Sequence, residues 1–225
     1  MEKSAKNKTV LKESVVVDIA TKIKSAYKTY VLEHGKQPAS VFQFSKINGM
    51  TEDVFYQHYN SFGALEKVLW KEFMDETLSK LHGDAVYRQY TVREKLLSFY
   101  YTWIEVLKTN RSFVLYTLNL INPKEGSPEV LKLFKREFLI YVNELLIEGK
   151  ETEEIMNRPL ISSKYDDGLW LQLLFVLRFW HKDESQGFEK TDAAIEKAVN
   201  LSFDLMGRSP LDTMFDFAKF VYQNK

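Results

Sequence analysis

No cysteine occurs among the 225 residues, which excludes disulfides and thiolate metal sites and fits a reducing compartment. Glycine and proline are scarce, nine and five, and they fall mostly where helices should begin or end. No apolar run approaches the roughly 18 residues of a membrane span; the best, Leu169 to Trp180, is interrupted by Arg178. Neither sign of charge prevails, with 31 Lys and Arg against 31 Asp and Glu, which argues against strong nonspecific nucleic-acid binding. The lysines near the N-terminus precede no apolar stretch, so neither a signal peptide nor an anchor is expected, and the expectation is a cytoplasmic protein. The four histidines, His34, His58, His82 and His181, are scattered, and none has a metal-ligand partner at the next helical turn. With no glycine-rich phosphate loop and no nucleophile elbow either, the reading is of a protein that is not an enzyme and uses no metal or cofactor.

What is there is apolar and helical. At 45% hydrophobic and 14% aromatic the chain can bury a sizeable core, and the segments between its glycines and prolines repeat their apolar residues at the helical period, so the expected class is all-α. A first helix is expected from about Ser14 to Glu33, with Ile23, Tyr27 and Val31 on one face and Gly35 as its stop. Ser40 can cap a short helix ending near Asn48, and Thr51 can cap the next by accepting from the amide of Asp53 or Val54. Ser61 opens a long helix to about Leu81. Thr91 and Glu94 have the spacing of a capping box for the helix that follows. Another spans about Arg111 to Ile121. Pro128 is expected at the first position of a helix bearing Phe134, Phe138, Tyr141 and Leu145. Residues 149–163 read as the longest loop, two long helices follow at about 166–181 and 190–206, and Ser209 starts a short last one.

The most telling stretch is Gly49-Met50-Thr51-Glu52-Asp53-Val54-Phe55-Tyr56-Gln57-His58-Tyr59. Gly49 permits a sharp turn between two steeply crossing helices, while Phe44, Met50, Phe55 and Tyr59 have the spacing to bury against the first helix. That leaves Thr51, Glu52, Asp53, Val54 and Gln57 facing outward, as in the reading helix of a helix-turn-helix. Ser40, Phe44, Gly49-Met50-Thr51, Tyr56, His58-Tyr59, Ser61 and Leu65 match the motif of the TetR family of bacterial transcriptional regulators, which residues 15–70 resemble.

The resemblance implies a DNA-binding domain over residues 1–62 and a helical ligand-binding and dimerisation domain over 63–225. It implies operator DNA as a partner, met by Ser40, Lys46, Thr51, Glu52, Asp53, Val54, Tyr56, Gln57 and His58. A hydrophobic small-molecule effector would lie among Phe99, Tyr100, Trp103, Phe113, Tyr116, Trp170 and Phe175, although any one such ring more often fills a core. A homodimer would form through the helices at about 166–181 and 190–206, and the helix from Gly168 to Trp180, apolar nearly all round, needs cover on several sides. Four departures stand out: Ser45 and Asn48 replace alanines, and Phe62 and Gly63 replace the usual lysine and acid. No Lys or Arg lies between Lys46 and Lys67, and Glu52 and Asp53 would face a polyanion. Nine lysines against six acids in residues 1–60 leave that part mildly basic, and Lys3 to Lys12 could serve as an arm into the minor groove. A second, shorter segment, Asp183, Ser185, Phe188 and Thr191 following Trp180, is similar to the lipid-binding ubiquinone-biosynthesis family that shares the TetR fold; the same residues can simply cap two helices. Two functions follow as expectations: a ligand-responsive repressor, or a TetR-fold protein that has lost DNA binding and carries an apolar lipid or small molecule.

Overall fold

Residues 19–121, 128–158 and 161–207 are described by the structure, a computed structural model. Among them all regular structure is helical: α1 (19–34), α2 (Val41–Ile47), α3 (Glu52–Tyr56), α4 (Phe62–Gly83), α5 (Val92–Thr109), α6 (Arg111–Asn119), α7 (Lys132–Glu151), α8 (Tyr165–Lys182) and α9 (Glu189–Met206), with short 3-10 turns between some of them. The expected start at Ser14, the lysine arm and the helix from Ser209 lie outside the described residues. No helix among those described is long and apolar enough to cross a membrane. The chain divides into two compact units, residues 1–71 with 110–133, and residues 72–109 with 134–225.

The first unit is built on aromatic rings. α1 buries Ile23, Tyr27 and Val31, one per turn on one face, and Gly35, at φ +65°, ends it by donating its amide to the Val31 carbonyl at 2.9 Å. Phe44 is fully buried and meets the rings of Tyr27, Tyr30, Phe55 and Phe62 edge-on at 5.4–6.4 Å between centroids. Phe62 also stacks on Tyr27 at 5.2 Å. The residue that stands where the family carries a lysine is thus a core residue, and its apolar ring belongs there. Polar bonds tie the distant segments together. Tyr27 Oη donates to Glu66 Oε1 at 2.6 Å, Gln37 Nε2 donates to the same oxygen at 3.1 Å, and Trp70 Nε1 donates to Thr117 Oγ1 at 3.1 Å. Burial, and then the neighbouring Glu66 carboxylate, push the Tyr27 phenol far above its ordinary range, so it remains a donor at any working pH.

In the second unit α5 and α8 both pack on α9. The capping box forms: Thr91 N donates to Glu94 Oε2 at 2.8 Å and Glu94 N donates to Thr91 Oγ1 at 3.3 Å. Val92 N, another free amide of that first turn, is met from afar by Glu154 Oε1 at 3.1 Å. Two expectations need correction. Pro128 caps a 3-10 turn at residues 129–131 instead of standing first in the helix, which begins at Lys132. The loop expected from 149 is shorter at its front, because α7 runs on to Glu151. Ile155 folds back over Gly149, where a Cβ would lie only 2.6 Å from Ile155 Cδ1, and donates its amide to the Gly149 carbonyl at 2.8 Å. The side-chain-free surface at Gly149 lets the chain double back there. Arg158 then donates to the carbonyls of Leu205 at 2.6 Å and Gly207 at 2.8 Å, answering acceptors left free at the end of α9.

The α8–α9 corner is closed by one carboxylate. Asp183 Oδ1 accepts from Ser185 N and Oγ at 2.8 and 2.6 Å, and Oδ2 accepts from Thr191 N and Oγ1 at 2.9 and 2.6 Å. Burial opposes its charge, but the hydrogen bonds from Ser185 and Thr191 outweigh that and hold the carboxyl at about 2. A depressed carboxylate contributes stability that is present above the ordinary pKa of roughly 4 and is lost as pH falls through about 2. Asp183→Asn should therefore cost roughly 1–2 kcal/mol at neutral pH and flatten the acid limb of a Tm-against-pH curve between about 4 and 2. An unchanged acid limb would sink this account of the corner.

Candidate nucleic-acid interface and effector body

α2, the turn and α3 fold from local signals. Ser40 Oγ accepts from Gln43 N at 3.1 Å and starts α2. At its end Asn48 N and Asn48 Nδ2 both donate to the Phe44 carbonyl, at 3.2 and 2.8 Å, and Met50 N donates to the Ser45 carbonyl at 3.0 Å. Gly49 between them sits at φ +66°, the left-handed region that a side chain disfavours. Thr51 occupies the cap position of α3, but its side chain makes no cap hydrogen bond, contrary to expectation. Glu52 and Asp53 fall in the first turn of that helix, where they favour the positive end of its dipole.

Of the residues expected to meet DNA, Ser40, Lys46, Thr51, Glu52, Asp53, Tyr56 and Gln57 are exposed, while Val54 and His58 are half-buried. All nine belong to the first unit. Phe55, Tyr59 and Phe44 are buried beneath them, and Met50 is half-buried. Two residues not singled out from the sequence share the surface of α2: Phe42 at 62% and Ile47 at 63% exposure. Their sequence signal was their position, off the face that carries Phe44. Ser45 is buried and its hydroxyl meets no protein partner, so the alanine usual at this point in the family would leave no polar atom to satisfy.

The rings expected to hold an effector fall into separate groups. Phe99, Tyr100, Trp103 and Trp170 are buried in the second unit. Phe99 stacks on Trp103 at 6.1 Å and on Tyr141 at 5.0 Å, Trp103 meets Phe134 at 5.4 Å, and Phe138 meets Phe99 at 5.5 Å and Trp170 at 6.1 Å. The α7 rings Phe134, Phe138 and Tyr141 are as central as those expected, and their helical spacing was the sign of it. Phe175 is on the exposed side of α8 at 51%. Phe113 and Tyr116, on α6, belong to the first unit, Phe113 buried beneath the Lys28 ammonium at 5.7 Å and Tyr116 half-buried. Beside the α5 rings runs a polar chain, in which Tyr87 and Tyr141 hydroxyls meet at 2.9 Å, Tyr141 donates to the Lys95 carbonyl at 3.2 Å, and the Lys95 ammonium pairs with Glu148 at 2.5 Å. Burial raises the Tyr87 phenol, and raises Tyr141 well above its ordinary value.

On α8, Leu169, Trp170, Leu173, Val176, Leu177 and Trp180 face inward, while Leu171, Phe175 and Phe179 form an exposed stripe with one residue per turn. α9 exposes Leu201 and Leu205 at the same spacing. Charged residues Arg178, Lys182, Asp183, Glu184 and Lys190 line a groove with Phe175 and Phe179 at the end of the stripe.

A two-helix turn with a buried aromatic base, preceded by a longer helix and joined to a helical body, defines an all-α helix-turn-helix protein. A sequence model of the tetracyclin repressor-like C-terminal domain matches residues 95–221, more than half of the chain, and the chain belongs to the TetR family. In fold it is similar to a TetR family transcription regulator from Shewanella sp. PV-4, at 15% identity and a TM-score of 0.57, over 84% of this chain and 98% of that one. It is similar also to the fatty acid degradation regulator FadR from Bacillus halodurans, at 19% identity and a TM-score of 0.55, over 82% and 94% of the two chains. No curated protein matches the chain.

Proposed function

We propose that the protein is a ligand-responsive, DNA-binding transcriptional repressor that works as a homodimer. The observation that carries this reading is the exposed surface of α3 and its cap, Thr51, Glu52, Asp53, Tyr56 and Gln57, held over a buried Phe44–Phe55–Phe62 base in a chain of the TetR family. Two such helices, one per subunit, would enter successive major grooves about one DNA turn apart. The stripe of Leu171, Phe175 and Phe179 with Leu201 and Leu205 supports a two-fold pairing of α8 and α9. An apolar centre with a charged rim is the composition such interfaces favour. An apolar effector in the second unit would change the separation of the reading helices and release the operator. That one structural relative is a fatty acid degradation regulator supports an effector of apolar character.

The electrostatics of the surface set how such binding would look. No Lys or Arg lies between Lys46 and Lys67, and Glu52 and Asp53 oppose a polyanion, so affinity should rest on base-edge contacts more than on counterion release. Acids on a reading helix can accept from cytosine amino groups. Titrated with salt against DNA from upstream of its own gene, the protein should form a specific complex with a shallow slope, roughly −2 to −4 in log–log form for a dimer making a few phosphate contacts. No specific complex at low salt, with or without ligand extracted from the cells, would remove the repressor reading. The acidic α3 surface would then favour the second one, a TetR-fold carrier of an apolar lipid or small molecule.

A further inference from the structure

Two hydrogen-bond donors lie buried on neighbouring turns of α5 with no protein group to answer them. Tyr100 and Trp103 are both fully buried, and neither the Tyr100 hydroxyl nor the Trp103 indole Nε1 meets an acceptor. They are three residues apart on one helix face, with ring centroids 6.4 Å apart. Buried polar atoms are nearly always paired, because an unanswered donor keeps the full loss of its hydration. Here the omission occurs twice at one place, amid the rings of Phe99, Phe134 and Phe138. Nearby hydroxyls are already engaged, Tyr87 with Tyr141 and Tyr141 with the Lys95 carbonyl. Burial also raises the Tyr100 phenol, so it stays neutral and able to donate.

From this we infer that the second unit takes an uncharged, largely apolar ligand carrying an oxygen acceptor, of the ketone, ester or ether kind, which receives hydrogen bonds from Tyr100 Oη and Trp103 Nε1. The inference rests on the reading of this unit as an effector-binding body. The chemistry of the donors sets the class. An indole N–H can only donate, so the ligand must accept. An anion would need a cation to offset its desolvation, and the one buried lysine of α5, Lys95, already pairs with Glu148 and faces the Tyr87 ring at 6.0 Å. A pure hydrocarbon would fit the rings and leave both donors as they are.

Three small probes of similar shape separate these cases: acetophenone, which has a carbonyl, ethylbenzene, which has none, and benzoate, which is charged. Binding to the intact protein is measured by ligand-observed NMR and calorimetry. Acetophenone should bind roughly tenfold more tightly than either of the others, the value of one or two buried hydrogen bonds. Tyr100→Phe should lower acetophenone affinity about fivefold, leave ethylbenzene unchanged, and keep or raise the Tm because it removes an unanswered hydroxyl. Equal binding of acetophenone and ethylbenzene would overturn the acceptor assignment while leaving an effector body standing. Preference for benzoate would overturn the neutral class. A lower Tm for Tyr100→Phe would show that buried water already answers the hydroxyl and would also count against the inference. Failure of all three probes to bind would remove the effector reading itself.

Discussion

Phe44→Ala should cost about 3–5 kcal/mol, the range for truncating a fully buried aromatic residue, and should abolish binding to DNA. The ring sits at the centre of the first unit. Phe44 meets Tyr27 and Tyr30 of α1, Phe55 of α3 and Phe62 of α4, so one side chain fixes four elements at once. Without it α2 and α3 lose the surface on which they turn, since α3 is only five residues long and cannot persist alone. Denaturant unfolding would measure the loss, and hydrogen exchange would report α2 and α3 amides opening first. Phe44→Leu, which keeps most of the volume, should cost less than half as much. A loss below about 1 kcal/mol for the alanine variant would mean that the ring cluster does not support α3.

The double substitution Leu171→Glu and Phe175→Glu should turn a dimer into a monomer without unfolding the subunit. Both side chains are more than half exposed, at 60% and 51%, so the charges can remain hydrated in the monomer. In a two-fold interface each change occurs twice and places carboxylates against an apolar stripe. With four substituted side chains across the seam at about 2 kcal/mol or more each, dissociation should strengthen by roughly a hundred-thousandfold or beyond. Sedimentation at micromolar concentration would show it, with circular dichroism confirming that the helices remain. Operator binding should fall with it, because a single reading helix meets only one half-site. A variant that sediments as a dimer would place the interface on another face.

Much of the fold was legible because its signals are local. The Thr91–Glu94 capping box, the Ser40 cap, the stop at Gly35 and the positive φ at Gly49 each depend on residues within a few positions of one another. The turn at Gly49 and the apolar spacing around it were enough to expect a helix-turn-helix, and the motif residues from Ser40 to Leu65 carried the resemblance to the TetR family, whereas the family match lies over residues 95–221, wholly beyond that segment. Phe62 shows the limit of a motif. By position it read as the loss of the family's usual lysine, whereas its ring completes a core shared with Tyr27, 35 residues earlier.

The sequence alone determined that this is an all-α chain with a sharply turned pair of helices near its start and an apolar helix near its end, because helical period, caps and turn glycines act over a few residues. Only the tertiary structure decided the rest. It grouped 110–133 with the helix-turn-helix, through bonds such as Trp70 to Thr117 that span 47 positions. It sorted the aromatic residues of the body into a buried cluster and an exposed stripe, and it left Tyr100 and Trp103 with donors unanswered. The physical reason is the same in each case. Burial and hydrogen-bond satisfaction depend on which distant segments pack together, and no pattern within a single helix records its neighbours.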